Sequence, residues 1–174
     1  MYTIVFIFIF LLGTIIGSFL NVVIYRFNTG RSVSKGRSIC MTCNRTLRWY
    51  ELIPVFSFLI QSGKCRRCAS IISHQYPLVE FGTGLIFAIT TIHFLPALSF
   101  SQGSFILLVI LFSFIFSLLI VISVYDVRHK IIPDKLSYLY AFVAFLSIFV
   151  NHTGIGPMFV MPSLLAMVSG PLFA

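Results

Sequence analysis

Long apolar runs that carry almost no charge dominate this sequence, and they limit its possible folds more than any other feature. Of the 174 residues, 59% are hydrophobic and only 9% are charged. A water-soluble domain of this size needs far more charge on its outside, so the bilayer must be much of the solvent of this chain. The composition therefore predicts an all-α polytopic membrane protein.

Five apolar segments follow one another along the chain, at about residues 2–24, 77–97, 104–125, 136–150 and 155–174. The first is long enough to cross a hydrocarbon core of roughly 30 Å. It has neither the basic start nor the small-residue cleavage site of a signal peptide, so we interpret it as an anchor. The sequence thus predicts about five transmembrane helices: helix 1 in residues 1–25, a loop domain in 26–76, and helices 2–5 in 77–174.

The basic residues predict how these helices are oriented. Nine of the twelve Lys and Arg residues lie between the first and second apolar segments, and the other three lie in the connection 126–135. By the positive-inside rule both regions face the cytoplasm, which leaves the N-terminus on the outer side of the membrane. The net charge of +8 is then a matter of topology, and no nucleic-acid partner is expected.

Two C-x-x-C pairs lie in the basic loop, formed by Cys40 with Cys43 and by Cys65 with Cys68. On the predicted topology they face a reducing compartment, where thiolate–metal ligation is favoured over stable disulfides. Two such turns can complete a tetrahedral four-thiolate site, so we expect one structural zinc ion that folds the loop and takes no part in catalysis. The alternative is two pairs of free or redox-active thiols.

Carboxylates are scarce in this chain, which has only four, and three of them are candidate functional groups. Glu80 lies near the start of the second apolar segment, where an ionisable group is costly and often functional. It could equally be favoured by the helix dipole in a first helical turn. Asp126 ends the third segment, where the dipole disfavours a negative charge, and this points to function. Asp134 follows Pro133 and suits a helix N-cap.

Several blocks together resemble one family, the type IV prepilin peptidases, which are membrane aspartyl proteases. The first block is Gly-Ser-Phe-Leu-Asn-Val-Val-Ile-Tyr-Arg at residues 17–26, and the two cysteine pairs follow it with Trp-Tyr-Glu-Leu-Ile-Pro at 49–54 between them. Then come Tyr-Pro-Leu-Val-Glu at 76–80 and Asp126-x6-Pro133-Asp134. These blocks span about two-thirds of the chain in the order of the family.

The resemblance implies cleavage of a short basic leader from type IV prepilin or pseudopilin precursors at the cytoplasmic membrane face. It also implies possible methylation of the new N-terminus with S-adenosylmethionine. Two aspartates carry out the cleavage in this family, and Asp126 matches the first. The second belongs to a Gly-x-Gly-Asp motif. In such a pair one carboxylate, ionised, accepts a proton from water while the other, protonated, donates to the scissile carbonyl.

The sequence departs from the family pattern in one important respect, because it contains no Gly-x-Gly-Asp motif. We therefore interpret it as an N-terminal piece of a prepilin peptidase and expect no peptide hydrolysis by it alone. Asp134 and Glu80 remain possible supporting residues. The alternative function is a non-catalytic membrane zinc module, whose basic loop acts in docking or assembly.

Overall fold

Four long helices organise the part of the protein that the structure describes, and a small cysteine-containing module is inserted between the first two of them. The computed structural model describes residues 2–30 and 32–152. The long helices are α1 (Tyr2–Arg26), α3 (Gln75–Phe94), α4 (Gln102–His129) and α5 (Asp134–His152). The module carries a 3-10 turn at Trp49–Leu52 and the short helix α2 at Phe56–Ile60, and a second 3-10 turn at Leu95–Ser99 extends α3.

The predicted all-α class is confirmed, because the described residues contain helices and two isolated β-bridges but no strand. Within residues 2–30 and 32–152, three helices are long and apolar enough to cross a membrane, at Thr3–Arg26, Gln75–Ser99 and Gln102–His129. The predicted fourth segment is helical as α5 but is not among these three. The predicted fifth segment, at 155–174, lies outside the described residues.

Helices α1 and α3 pack closely because glycine lies at their crossing. A Cβ atom built on Gly13 would come within 2.8 Å of Gly84 Cα, and one built on Gly17 within 2.8 Å of Glu80 Cα. Without side chains at these positions the two backbones can approach each other, as small residues allow between membrane helices. The contact sets the antiparallel register of the pair and holds Glu80 against the middle of α1.

We expect Gly17→Ala to destabilise this helix pair by about 1–3 kcal/mol, because its methyl group would press on the backbone of α3. Gly82→Ala is the matched control on α3, since a Cβ at Gly82 has no atom within 4 Å. Thermal unfolding in detergent measures both variants. Equal stability of the two would mean that the glycine contact does not hold the helices together.

Aromatic and cationic groups form a stack where α1, α3 and α4 meet, at the helix ends that the sequence predicts to face the cytoplasm. The rings of Tyr25 and Tyr76 are parallel with centroids 4.9 Å apart, and the guanidinium of Arg128 lies 3.9 Å from the centroid of Tyr25. Tyr125 is buried and meets Phe27 edge-on at 5.7 Å. These contacts hold the last turn of α4, which carries Asp126, against the end of α1.

Candidate metal centre and membrane-face site

The two cysteine pairs adopt the same turn. In the first, the Cys40 N–H donates to Arg45 O and the Asn44 N–H donates to Cys40 O, both at 2.9 Å. In the second, the Cys65 N–H donates to Ser70 O and the Ala69 N–H to Cys65 O, also at 2.9 Å. Asn44 and Ala69, which follow the second cysteine of each pair, both have positive φ, at 53° and 55°. The repeated geometry turns the two sulfurs of each pair toward a common point.

The four sulfurs form one cluster, with all ligand atoms within 4.8 Å of one another. Cys40 Sγ and Cys68 Sγ are 3.8 Å apart. Four thiolates at 2.3 Å from a tetrahedral zinc ion lie about 3.8 Å from each other, so this separation suits the ion that the sequence predicts. The sequence prediction that these four residues converge is thus confirmed, and the cluster could hold a metal ion.

The electrostatics of the cluster favour the thiolate form at its first residue. Hydrogen bonding from the backbone of Cys43 lowers the pKa of the Cys40 thiol to about 6, against the opposing effect of burial. The Ser70 hydroxyl, 3.1 Å from Cys68 Sγ, lowers the pKa of Cys68. Thiolates are the form that binds metal, so these contacts prepare Cys40 and Cys68 for a cation.

Glu51 supports this cluster from the 3-10 turn, a role that sequence reasoning missed. Its carboxylate is buried, and it accepts hydrogen bonds from the Arg45 guanidinium and from the Arg48 backbone N–H, the latter at 2.8 Å. Burial would raise the pKa of Glu51, but these two donors outweigh it and leave the pKa below its usual value. Glu51, and to a smaller extent Cys65, raise the pKa of the Arg45 guanidinium, so Glu51 orients a residue that lies beside a candidate ligand.

We expect Glu51→Gln to weaken zinc binding about 10–100-fold, the usual cost of losing an outer-shell partner. Competition with a chromophoric chelator measures this affinity. Arg48→Gln is the control, because that exposed residue contributes only its backbone N–H to Glu51. Equal affinities in the two variants would remove Glu51 from the support of the cluster.

Glu80 lies deeper in the protein than the sequence suggested. It is the sixth residue of α3, so the interpretation that placed it in the first helical turn is wrong. Only 7% of its surface is exposed, and its Oε2 accepts a 2.7 Å hydrogen bond from the Val55 backbone N–H. The residue therefore ties the cysteine module to the membrane-spanning part of the protein.

A cavity of about 750 Å³ separates the cysteine module from the ends of the long helices. Its helical wall includes Ser18, Asn21, Tyr25, Tyr76, Glu80 and Arg128. Asn21 is 1% exposed, and its Nδ2 donates to the backbone oxygen of Tyr76 at 3.1 Å, while its Oδ1 has no hydrogen-bond partner among the described residues. Since a backbone oxygen can only accept, the Asn21 amide must turn its Nδ2 toward Tyr76 and its Oδ1 away from it. The volume lies within the range of small-molecule sites.

The two aspartates of the sequence motif lie on either side of one short connection. Asp126 is half-buried in the last turn of α4, which ends at His129, about one turn beyond the predicted end of the third segment. Lys130 closes that turn in the left-handed conformation with φ 57°. Asp134 is exposed and is the first residue of α5, where the helix dipole favours its charge.

These features define a helical membrane protein with a four-cysteine module, which could bind a metal ion, between its first two spans. Residues 11–94 match the family described as Bacterial Peptidase A24 N-terminal domain. The chain is 49% identical over 81 residues to the prepilin leader peptidase/N-methyltransferase of Myxococcus xanthus, a match covering 47% of this chain and 24% of the relative. The chain belongs to the type IV prepilin peptidase family.

Longer matches extend the likeness beyond the cysteine module. The chain is 39% identical over 140 residues to the enzyme of that name in Bacillus subtilis, covering 80% of this chain and 52% of the relative. It is 32% identical over 136 residues to the one in Klebsiella pneumoniae, covering 75% and 56%. The chain thus spans about half the length of these two relatives. No solved structure matches it.

Proposed function

We propose that this chain is part of a prepilin leader peptidase in a bacterial inner membrane. It would face the substrate and carry the first of the two catalytic aspartates. The observation that carries the proposal is the placement of Asp126. It is half-buried in the last turn of a candidate membrane-spanning helix, and the stack of Arg128, Tyr25 and Tyr76 braces that turn. The names of the relatives support leader cleavage as the reaction.

In the proposed mechanism Asp126 is one member of a pair of carboxylates. An ionised carboxylate accepts a proton from the attacking water while its protonated partner donates to the scissile carbonyl, and their closeness separates their pKa values. By the family pattern the partner belongs to a Gly-x-Gly-Asp motif, which these 174 residues do not contain. The 174 residues alone are therefore proposed to be inactive as a peptidase.

The proposed substrates are precursors of type IV pilins and pseudopilins, whose leaders are cut at the cytoplasmic face. The basic residues of the cysteine module support that orientation through the positive-inside rule, with the N-terminus outside. A structural zinc ion at Cys40, Cys43, Cys65 and Cys68 would hold the module in shape. Its four thiolates leave no open position for substrate, so the ion supports the fold and does not catalyse.

A second activity, methylation of the new N-terminus, is favoured by the cavity beside the module. The relatives are named as N-methyltransferases, and S-adenosylmethionine is the methyl donor that the family implies. The cavity offers such a donor a buried acceptor at Asn21 and a carboxylate at Glu80. In that case the donor supplies the methyl group, while these side chains bind and orient it.

Mass spectrometry of the processed pilin tests both activities together. The protein to use is a chimera that joins this chain to the part of the Bacillus subtilis relative that it does not match. The expected product is a pilin cut at the end of its leader and carrying one methyl group. Asn21→Ala should leave the cut in place and reduce the methylated fraction. Correct cutting with an unchanged methylated fraction would contradict the cavity assignment, and no cutting would contradict the peptidase.

A further inference from the structure

One segment of the cysteine module is unusually apolar for a part of the protein that would lie in water. Residues 52–63 contain no charged residue, although basic residues lie on both sides, at Arg48 and Lys64. The segment includes the short helix α2, which leaves Phe56 57%, Leu59 64% and Ile60 70% exposed. Phe58 points the other way, toward His74, with ring centroids 5.5 Å apart. One face of α2 therefore packs on the module, and the opposite face presents large apolar side chains with nothing over them in the described residues.

The level of this segment along the membrane helices can be read from its contact with Glu80. Val55, just before α2, is hydrogen-bonded to that residue. Glu80 lies five residues, or about 7.5 Å, inside the first residue of α3. Its Cα also faces Gly17, which is nine residues, or about 13 Å, from the charged end of α1 at Arg26. Both helices place Glu80 inside the spans, and Val55 is within reach of its side chain.

Several backbone N–H groups of the segment are also paired within the protein, as a medium without water requires. Hydrocarbon offers no partner for an N–H group, so every such group must be paired within the protein. Phe56, Ser57 and Leu59 donate to backbone oxygens of Pro54, Ile53 and Val55. Proline at position 54 has no N–H to pair. Val55 has no helical acceptor, and it is the residue that donates to Glu80.

The flanks of the segment carry the residue types of a membrane–water interface. Trp49 is 77% exposed just before it, and Tyr50 follows Trp49 in the same turn. Trp and Tyr concentrate at the headgroup level of membranes. Basic residues stand outside them, at Arg48 on one side and Lys64 on the other, where anionic headgroups would attract them.

We propose that residues 52–60 form a re-entrant element, in which the exposed face of α2 is inserted among the lipids of the leaflet that faces the cysteine module. The occupant of this face is the hydrocarbon next to the headgroups, reached at the depth of about 5–10 Å that interfacial helices adopt. Glu80 then has a structural purpose, because its carboxylate pairs the Val55 amide, which has no helical acceptor and would otherwise be unpaired in lipid. The module is thus held at the membrane by the inserted face of α2 as well as by its chain connections to α1 and α3.

Fluorescence quenching by lipids brominated on their acyl chains tests this inference, and the chain suits the method because Trp49 is its single tryptophan. In a Trp49→Phe background, two variants carry one new tryptophan each, Phe56→Trp or Met41→Trp. The two positions are 57% and 59% exposed, so they differ in location and not in accessibility. Each variant is reconstituted in vesicles with and without the brominated lipid, and its zinc content is checked against that of the parent.

The brominated lipid should quench roughly half of the tryptophan emission of Phe56→Trp, as expected at interfacial depth. It should change the emission of Met41→Trp little. Iodide in the water should quench the two variants in the opposite order. Red-shifted Phe56→Trp emission, quenched by iodide and not by lipid, would overturn the proposal in favour of a solvated face. Blue-shifted emission that neither reagent quenches would also overturn it, since protein would then cover α2.

Discussion

Asp126→Asn should abolish leader cleavage in the completed chimera, lowering kcat/KM by about 10²–10⁴-fold, the range attributed to a positioned acid–base group. The substitution keeps the size of the side chain but removes its ability to accept a proton. Asp126 is half-buried and lies in the last turn of α4, so the change should disturb neither helix packing nor the cysteine module. Cleavage of a prepilin in vesicles, followed over time, measures the effect.

Asp134→Asn is the comparison for that result, because it removes the other carboxylate of the same connection. Asp134 is exposed at the first residue of α5, so its loss should weaken a helix terminus and reduce cleavage far less. A cleavage rate in Asp126→Asn equal to that of the parent would exclude an aspartyl mechanism at this position. A larger loss of cleavage in Asp134→Asn than in Asp126→Asn would assign the catalytic role to Asp134.

Cys40→Ser should remove the metal and unfold the cysteine module. The purified chain is expected to contain about one zinc ion, and the variant almost none, since a tetrahedral site loses a quarter of its ligands. Structural zinc contributes apparent binding energies of roughly 10–16 kcal/mol to small domains, far more than two short turns and two β-bridges can supply. Elemental analysis gives the metal content, and limited proteolysis between residues 27 and 74 gives the folded state.

Met41→Ala is the matched control for the metal prediction, because it lies inside the same C-x-x-C turn and is 59% exposed. It should retain zinc and resist protease as the parent does. A Cys40→Ser chain with full zinc content and unchanged protease resistance would contradict the four-thiolate site. A parent chain that is free of metal and freely reactive toward thiol reagents would favour the alternative of free or redox-active cysteines.

The parts of this structure that depend on local pattern could be predicted from the sequence. The helices follow from apolar runs, whose length and lack of charge are visible without any knowledge of partners. The convergence of the cysteines follows from spacing, since each C-x-x-C turn must bring its own two sulfurs together, and two such turns are the usual content of one site. Asp126 stands out in the sequence because its charge opposes the helix dipole at the end of α4, and its catalytic role stays a prediction.

The parts that depend on long-range contacts could not be predicted in the same way. Glu80 and Val55 are separated by 25 residues, and no local pattern indicates that one will pair the amide of the other. Glu51 was visible as a scarce carboxylate, but its bonds to Arg45 and Arg48 depend on the fold of the first cysteine turn. The uncharged stretch 52–63 is visible in the sequence, but it is too short to predict a membrane-spanning helix.

The most direct test of the central claim, that Asp126 needs a partner carboxylate from a further segment, is leader cleavage by three proteins in parallel. They are this 174-residue chain, the unmatched part of the Bacillus subtilis relative, and the chimera of the two. Each is co-expressed with a prepilin, and the mature band is followed on a gel. We expect a mature band with the chimera and none with the 174-residue chain. A mature band from the 174-residue chain alone would contradict the central claim, and Asp134 would then be the first residue to mutate.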